Sequence, residues 1–232
     1  MKNLMVLATA GAVLLTTVLT AQAADNQLSA ELKADGWRAL FDGKTLEGWS
    51  IKSGTAAYKV EEGAIVGTTV EGSPNTFLTS NESFKDFEIT FDVKLDHNEL
   101  NSGIQTRSKL KGEQHGGRVY GPQIEIMHSP GHSGFVYAEA TDKGWASEGP
   151  KKEGGSRHSH FKNGEWNSFR IVAKGAQIQT WINGNPVEDF TYPQELHDMN
   201  PEGFFGLQVH GIKKGTGPFS VRWKNIYVKE LN

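Results

Sequence analysis

The 232-residue chain contains no cysteine. That absence excludes disulfide support, a thiol nucleophile, cysteine-ligated zinc and lipid attachment through cysteine. Charge of one sign is also lacking: 24 basic residues face 27 acidic ones, a formal net charge of −3. A mildly acidic chain has no electrostatic footprint for DNA or RNA, so nucleic-acid partners are not expected. Long apolar runs are almost absent, and no stretch keeps a helical period beyond a turn or two. There is no phosphate-cradling Walker loop, no G-x-S-x-G elbow and no dinucleotide fingerprint, which removes a nucleotide cofactor. No internal repeat is visible.

The one apolar run is Leu4 to Leu19, preceded by Lys2 and followed by Ala21-Gln22-Ala23. A weakly basic start, an apolar centre and a small-x-small end read as a signal peptide over residues 1–23, cut before Ala24. A membrane anchor is the rival reading. The run is near the lower limit for a span and no basic cluster follows it, so no membrane span is expected after cleavage. A periplasmic or secreted protein follows. Its mature chain has 209 residues and, without Lys2, a charge of −4. Residues 24–35 read as a polar lead-in with one helical turn, and 36–232 as one domain.

What is present is glycine, 27 residues, and many short alternating segments. Phe87, Ile89, Phe91, Val93 and Leu95 alternate with Glu88, Thr90, Asp92 and Lys94, which gives one core face and one solvated face. Tyr58 to Val60 and Ala64 to Val66 flank Glu62-Gly63 as a hairpin. Trp166 to Ala173 and Gln177 to Asn183 form a further pair, and Trp223-Lys224-Asn225-Ile226 breaks the period once, as a bulge does. About a dozen short strands predict an all-β fold, a two-sheet sandwich or jelly roll. Lys109 to Arg118 and Thr141 to Gly164 read as loops.

Three segments place chemically able residues on one strand face: Gly103-Ile104-Gln105-Thr106-Arg107, Gln123-Ile124-Glu125-Ile126 and Leu207-Gln208-Val209-His210. Side chains alternate along a strand, so Gln105 and Arg107, Gln123 and Glu125, and Gln208 and His210 point away from the apolar partners. If these strands share a sheet, one face carries a carboxylate, a guanidinium, an imidazole and carboxamides. That set suits a small polar ligand such as a sugar.

An ordered series of motifs extends this reading. Leu40-Phe41-Asp42-Gly43-Lys44-Thr45-Leu46-Glu47-Gly48-Trp49 opens the domain, and Asn101-Ser102-Gly103-Ile104, Gln123-Ile124-Glu125-Ile126, Gly164-Glu165-Trp166-Asn167, Trp181-Ile182-Asn183-Gly184 and Gly206-Leu207-Gln208-Val209-His210-Gly211 follow. Asn225-Ile226-Tyr227-Val228-Lys229-Glu230-Leu231 closes it. The series resembles the bacterial 3-keto-disaccharide hydrolase family over about residues 36 to 232. The resemblance implies a concanavalin-like jelly roll, shared in shape with laminarinase-type glucanases and lectins, and secreted carbohydrate catabolism. It further implies cleavage of glycosides already oxidised to a ketone at sugar position 3, with a small carbohydrate as the partner. The chain departs from the family pattern in its 141 to 164 loop.

A ketone at position 3 acidifies the hydrogen at position 2. Its removal gives an enolate, the group at position 1 departs, and water can then add to complete net hydrolysis. Such chemistry needs a base, a donor for the enolate oxygen and an acid for the leaving group. Glu125 and His210 are the expected acid and base, in either order. Arg107, Gln105, Gln123 and Gln208 are expected to orient the sugar, with Tyr120 as a hydroxyl or a wall and Trp145 as a ring platform or a loop anchor. Trp49, Trp166, Trp181 and Trp223 read as packing. A divalent ion held by Glu125 and His210 stays open, His158-Ser159-His160 reads as a solvated loop, and Asp42 as a turn or a calcium ligand. A sugar-binding module without catalysis remains an alternative, as does a conventional glycosidase, which requires a second carboxylate that the Glu125 segment itself does not supply.

Overall fold

The computed structural model describes residues 24–112, 117–147 and 157–231. The expected signal segment lies outside them, as do parts of both expected loops. Among the described residues no helix is long and apolar enough to cross a membrane.

The chain opens with the short helix α1 (Ala30–Ala34), capped by the Ser29 hydroxyl. Strands β1 (Arg38–Ala39), β2 (Trp49–Lys52), β3 (Ala57–Glu61), β4 (Ala64–Thr68), β5 (Thr76–Ser80) and β6 (Phe87–Leu95) follow. Next come β7 (Ser102–Lys111), β8 (Arg118–Ile126), β9 (Val136–Glu139), β10 (Gly144–Trp145), β11 (Asn167–Lys174), β12 (Gln177–Ile182) and β13 (Asn185–Thr191). Helix α2 (Gln194–Met199), β14 (Phe204–Val209) and β15 (Ser220–Glu230) complete the chain. One antiparallel sheet runs β13-β12-β11-β6-β15-β4-β3, with β1 also on β15; the other runs β10-β9-β8-β7-β14-β5-β2. The two sheets pack face to face as an all-β sandwich.

The alternation in β6 is the pattern that builds the core. Phe87, Ile89, Phe91, Val93 and Leu95 are buried while the residues between them are half-exposed. They meet Phe169 and Ile171 from β11 and Val221, Trp223 and Val228 from β15. Each such side chain contributes about 1.5–3 kcal/mol on burial. From the second sheet, Ile104, Ile124, Ile126, Leu207 and Val209 face the same core. Trp49 and Trp223 belong to it as well. Trp181 lies beneath the Arg170 guanidinium, 4.1 Å from its ring centre, and Trp166 lies beneath Lys224 on the outer surface.

Local irregularities follow the residue types. The β12–β13 turn uses Asn183 and Gly184 at positive φ, 51° and 78°, as a tight hairpin requires. The β15 register shifts between Lys224 and Tyr227, and Asn225 takes φ 53°. This bulge anchors the lead-in: Asn26 N–H donates to Asn225 Oδ1 at 2.6 Å, and Asn225 N–H donates to Asn26 Oδ1 at 2.9 Å. Two readings of the loops change. The expected Lys109 to Arg118 loop is narrowed from both ends, because β7 runs to Lys111 and β8 starts at Arg118. The expected 141 to 164 loop contains β10, paired with β9 through Trp145 and Tyr137.

Candidate functional site

The outer face of the second sheet gathers the site. Gln105 pairs with Gln123 and with Gly206, so all three share a face. Gly103 lies opposite Glu125 in the same register. The face is strongly concave. Asn75, just before β5, donates to Glu139 at the end of β9 at 3.5 Å. Those strands stand four places apart in the sheet, roughly 19 Å if it were flat.

The β7–β8 hairpin folds back over this face. By register, Ile104 lies beside Leu207 and Ser108 beside Phe204, so a straight hairpin would carry its tip away from Ser53. Ser53 nevertheless donates to the Gly117 carbonyl at 2.7 Å and accepts from Val119 N–H at 2.8 Å. The fold-back originates in a register slip between Gln105 and Lys109, with Arg107 at φ 46°. Gly121 permits it: a Cβ there would stand 2.6 Å from the Ser108 hydroxyl. Phe77 of β5 and Val119 of the flap itself are fully buried yet belong to no part of the inter-sheet core, as expected where the flap lies against the face.

Under the flap runs a directed amide relay. Ser108 Oγ donates to Gln105 Oε1 at 2.6 Å, and Gln105 Nε2 donates to Gln123 Oε1 at 2.7 Å. Gln208 Nε2 donates to the same oxygen at 2.8 Å. Gln123 Nε2 then donates to Glu125 Oε2 at 3.1 Å, and Asn101 Nδ2 to Glu125 Oε1 at 3.0 Å. Reversing the Gln123 amide would set its NH2 against two donors, so the network fixes its orientation. All three glutamines and Glu125 are buried. Gln208 Oε1 is buried with no partner, a free acceptor inside the site.

Burial pushes the Glu125 carboxyl up to about 8, against the opposing hydrogen bonds from Gln123 and Asn101, and the charge of Glu139 raises it further. Glu139 is buried too, and burial raises its pKa; the charge of Arg118, a hydrogen bond from Asn75 and the charge of His210 pull it back. Arg118 donates directly to Glu139. His210, half-buried just past β14, shares its Nδ1 with the Gly211 carbonyl at 2.7 Å, and Gly211 N–H donates to Asn75 Oδ1 at 2.9 Å. Two carboxyls, an imidazole and a chain of amides can therefore hold and move protons around a polar ligand.

The structure brings Gln105, Gln123, Glu125, Gln208 and His210 together, but not Arg107. The bulge turns that side chain to the opposite side. It is 2 % exposed, and it donates to the Lys85 carbonyl, to the Gly175 carbonyl at 2.6 Å and to Asp86 at 3.0 Å. Tyr120 also stays outside the relay: its ring lies beneath Lys111 and lines a separate groove with Leu196 and Met199. Trp145 pairs with Tyr137, which pairs with Gln123, so it lies on the site face at the sheet edge. Sequence reasoning missed Glu139, Asn101, Asn75 and Tyr137. Tyr137 and Glu139 alternate with buried Val136 and Ala138, a signal that was available.

His158 Nε2 lies 2.7 Å from the Ser133 carbonyl, and its ring stacks on His160. Asp42 accepts from Lys44 and Thr45 N–H, both at 2.8 Å, which is the turn reading. Among the described residues no three His, Asp or Glu side chains are grouped to hold a metal ion.

Comparison with solved structures places the fold. A protein from Parabacteroides distasonis, provisionally assigned as a glycosyl hydrolase, is 23 % identical, with a TM-score of 0.63 over 90 % of this chain and 100 % of its own. A CBM66 carbohydrate-binding module from Bacillus subtilis is 14 % identical, with a TM-score of 0.53 over 79 % and 96 %. A Bacillus subtilis protein of unknown function with a galectin-like fold is 10 % identical, with a TM-score of 0.50 over 80 % and 90 %. At these identities the likeness shows the jelly-roll fold alone. None of the curated proteins compared with the chain matches it. The sequence profile of the 3-keto-alpha-glucoside-1,2-lyase-like domain matches residues 36–229. That span holds every residue of the relay together with both carboxyls, and the chain belongs to this family.

Proposed function

We propose that the protein cleaves 3-keto-glycosides by removing the proton at position 2 and eliminating the group at position 1. The observation that carries this reading is Glu125: a buried carboxyl at the end of a directed amide relay, with a pKa pushed up to about 8. A carboxylate that basic is better matched to a ketone-acidified C–H than an ordinary one. In the proposed sequence Glu125 takes the position-2 proton and the C1–O bond breaks. The departing oxygen takes a proton from Glu139, whose own pKa is raised, or from His210. The products are an enone and an alcohol. Water adding across the new double bond, hydroxyl to position 1 and proton to position 2, gives net hydrolysis. The unpartnered Gln208 Oε1 can accept from a sugar hydroxyl, and the second N–H of each relay amide can donate to the developing enolate oxygen.

Glu139 also supports a second reading. It supplies the second carboxylate that a conventional glycosidase needs. Mass spectrometry of products from 3-keto-trehalose, 3-keto-glucosides and their unoxidised parents separates the readings. Cleavage of the ketone forms alone is expected. Cleavage of the parents would favour the two-carboxylate glycosidase, and binding without product would favour a carbohydrate-binding module.

Gly103 provides a test of the relay. A Cβ at that position would stand 2.6 Å from both Cγ and Cδ of Gln123. Gly103→Ala is expected to displace Gln123, cost about 1–3 kcal/mol of stability and lower kcat/KM at least about tenfold, read by thermal melts and steady-state kinetics. Unchanged kinetics would remove Gln123 from the site. The reading also includes export. N-terminal sequencing of the exported protein is expected to begin at Ala24, and a start at Met1 would contradict it.

A further inference from the structure

The face that carries the relay runs on toward the β9–β10 edge of its sheet. On the β2 side, Gly117 and Val119 of the β7–β8 hairpin are pinned to Ser53. Toward β9 and β10, among the described residues, the same face continues through Tyr137 to Trp145. Trp145 is two strand spacings from Gln123, about 10 Å. Its ring packs edge-on to Tyr137 at 5.4 Å between centres and tilts against His132 at 5.8 Å. His132 is 5 % exposed, and its Nε2 is buried without a hydrogen-bond partner. His132 also packs against Phe135 at 6.2 Å.

We infer that Tyr137, Trp145 and His132 form a second sugar subsite, which receives the leaving-group ring of a disaccharide while the oxidised ring lies over Glu125. The inference rests on the function proposed above and names its substrate class: two-ring glycosides over glycosides of small alcohols. A ligand longer than one ring that extends along this face toward β9 and β10 meets the Tyr137 and Trp145 rings. Apolar faces of a sugar ring pack on such rings, while their edges need hydrogen-bond partners. The orphaned Nε2 supplies one. Burial, with the charges of Arg157 and His158, lowers the His132 pKa, so the ring stays neutral and offers a single N–H and a single acceptor. An orphaned buried polar atom has a cost that a ligand hydroxyl repairs on binding.

The test compares His132→Phe and Trp145→Ala with the parent on 3-keto-trehalose and on methyl 3-keto-glucoside. His132→Phe keeps the ring packing and deletes Nε2. Trp145→Ala, on a half-buried edge strand, guards against a folding failure in the first variant. The ratio of kcat/KM for the disaccharide over the methyl glycoside is expected to fall about tenfold in each, as expected for one lost contact. An unchanged ratio in both variants would overturn the subsite. If the parent cleaves neither substrate, the proposed reaction fails by itself. Calorimetric titration with unoxidised trehalose and methyl glucoside then reads the subsite independently: preference for the disaccharide, lost in both variants, upholds it, and no preference in the parent overturns it.

Discussion

Glu125→Gln is expected to lose turnover by about 10³-fold while the protein becomes more stable above neutral pH. The two effects share one cause. Proton transfer by a positioned group is worth about 10²–10⁴ in rate, and a carboxamide cannot take the proton. The stability gain follows from linkage. The carboxyl titrates at 4.5 in its ordinary state and at about 8 in the fold. Below pH 4.5 it is protonated in both states and costs nothing. As pH rises from 4.5 through 8 the unfolded chain releases its proton first, so native stability falls across that window. The full loss is on the order of 5 kcal/mol. Gln removes the titration and keeps an acceptor for Asn101 or Gln123. Denaturation at pH 5 and pH 9 checks this. The variant should lead by little at pH 5 and by a few kcal/mol at pH 9. Equal stability at both pH values would mean that Glu125 is not buried as a protonated acid. The parent's kcat/KM should rise with pH toward about 8, because only the ionised carboxylate acts as base.

Arg107→Met is expected to do the opposite: a large loss of stability with the chemistry intact in the protein that remains folded. The guanidinium ties the Lys85 carbonyl, the Gly175 carbonyl and Asp86 at one end of the sandwich and lies over the Phe87 ring at 5.7 Å. Burial lowers its pKa, and Asp86 partly restores it. Removing one partner from a buried charge network costs about 3–5 kcal/mol. In a chain of this size that is a fall of about 10 °C or more in Tm. Circular dichroism melts and kinetics below the transition check it. An unchanged Tm with a raised KM would return Arg107 to the sugar.

The two variants mark where the sequence was legible. Strict alternation over Phe87–Leu95 and over Gln123-Ile124-Glu125-Ile126 placed core and polar faces correctly, because the period of two holds wherever the ladder is regular. The bulge at Asn225 was legible because Trp223 and Ile226 fall out of phase. Arg107 was not. Between Gln105 and Lys109 one strand takes four steps while its partner, from Gln123 to Tyr120, takes three, so parity counted from Gln105 fails at Arg107. Nothing in Thr106-Arg107-Ser108 announces that slip. Glu139 was readable as a strand residue facing away from the core, but its place beside Glu125 depends on β9 pairing with β8 and on the curl of the sheet, both of them long-range. Trp145 sits in a two-residue strand, too short to carry any period. The relay itself is a property of three strands that meet only in the fold.

The most direct measurement follows hydrogen at sugar position 2. A 3-keto-disaccharide is cleaved in deuterium oxide, with Glu125→Gln as the control for uncatalysed exchange, and the products are read by NMR and mass spectrometry. Elimination through Glu125 predicts a product that either has no hydrogen at position 2, Glu125 having taken it as the double bond formed, or carries deuterium there after deuterium oxide has added. Rapid cleavage with the original hydrogen fully retained at position 2 would contradict the account.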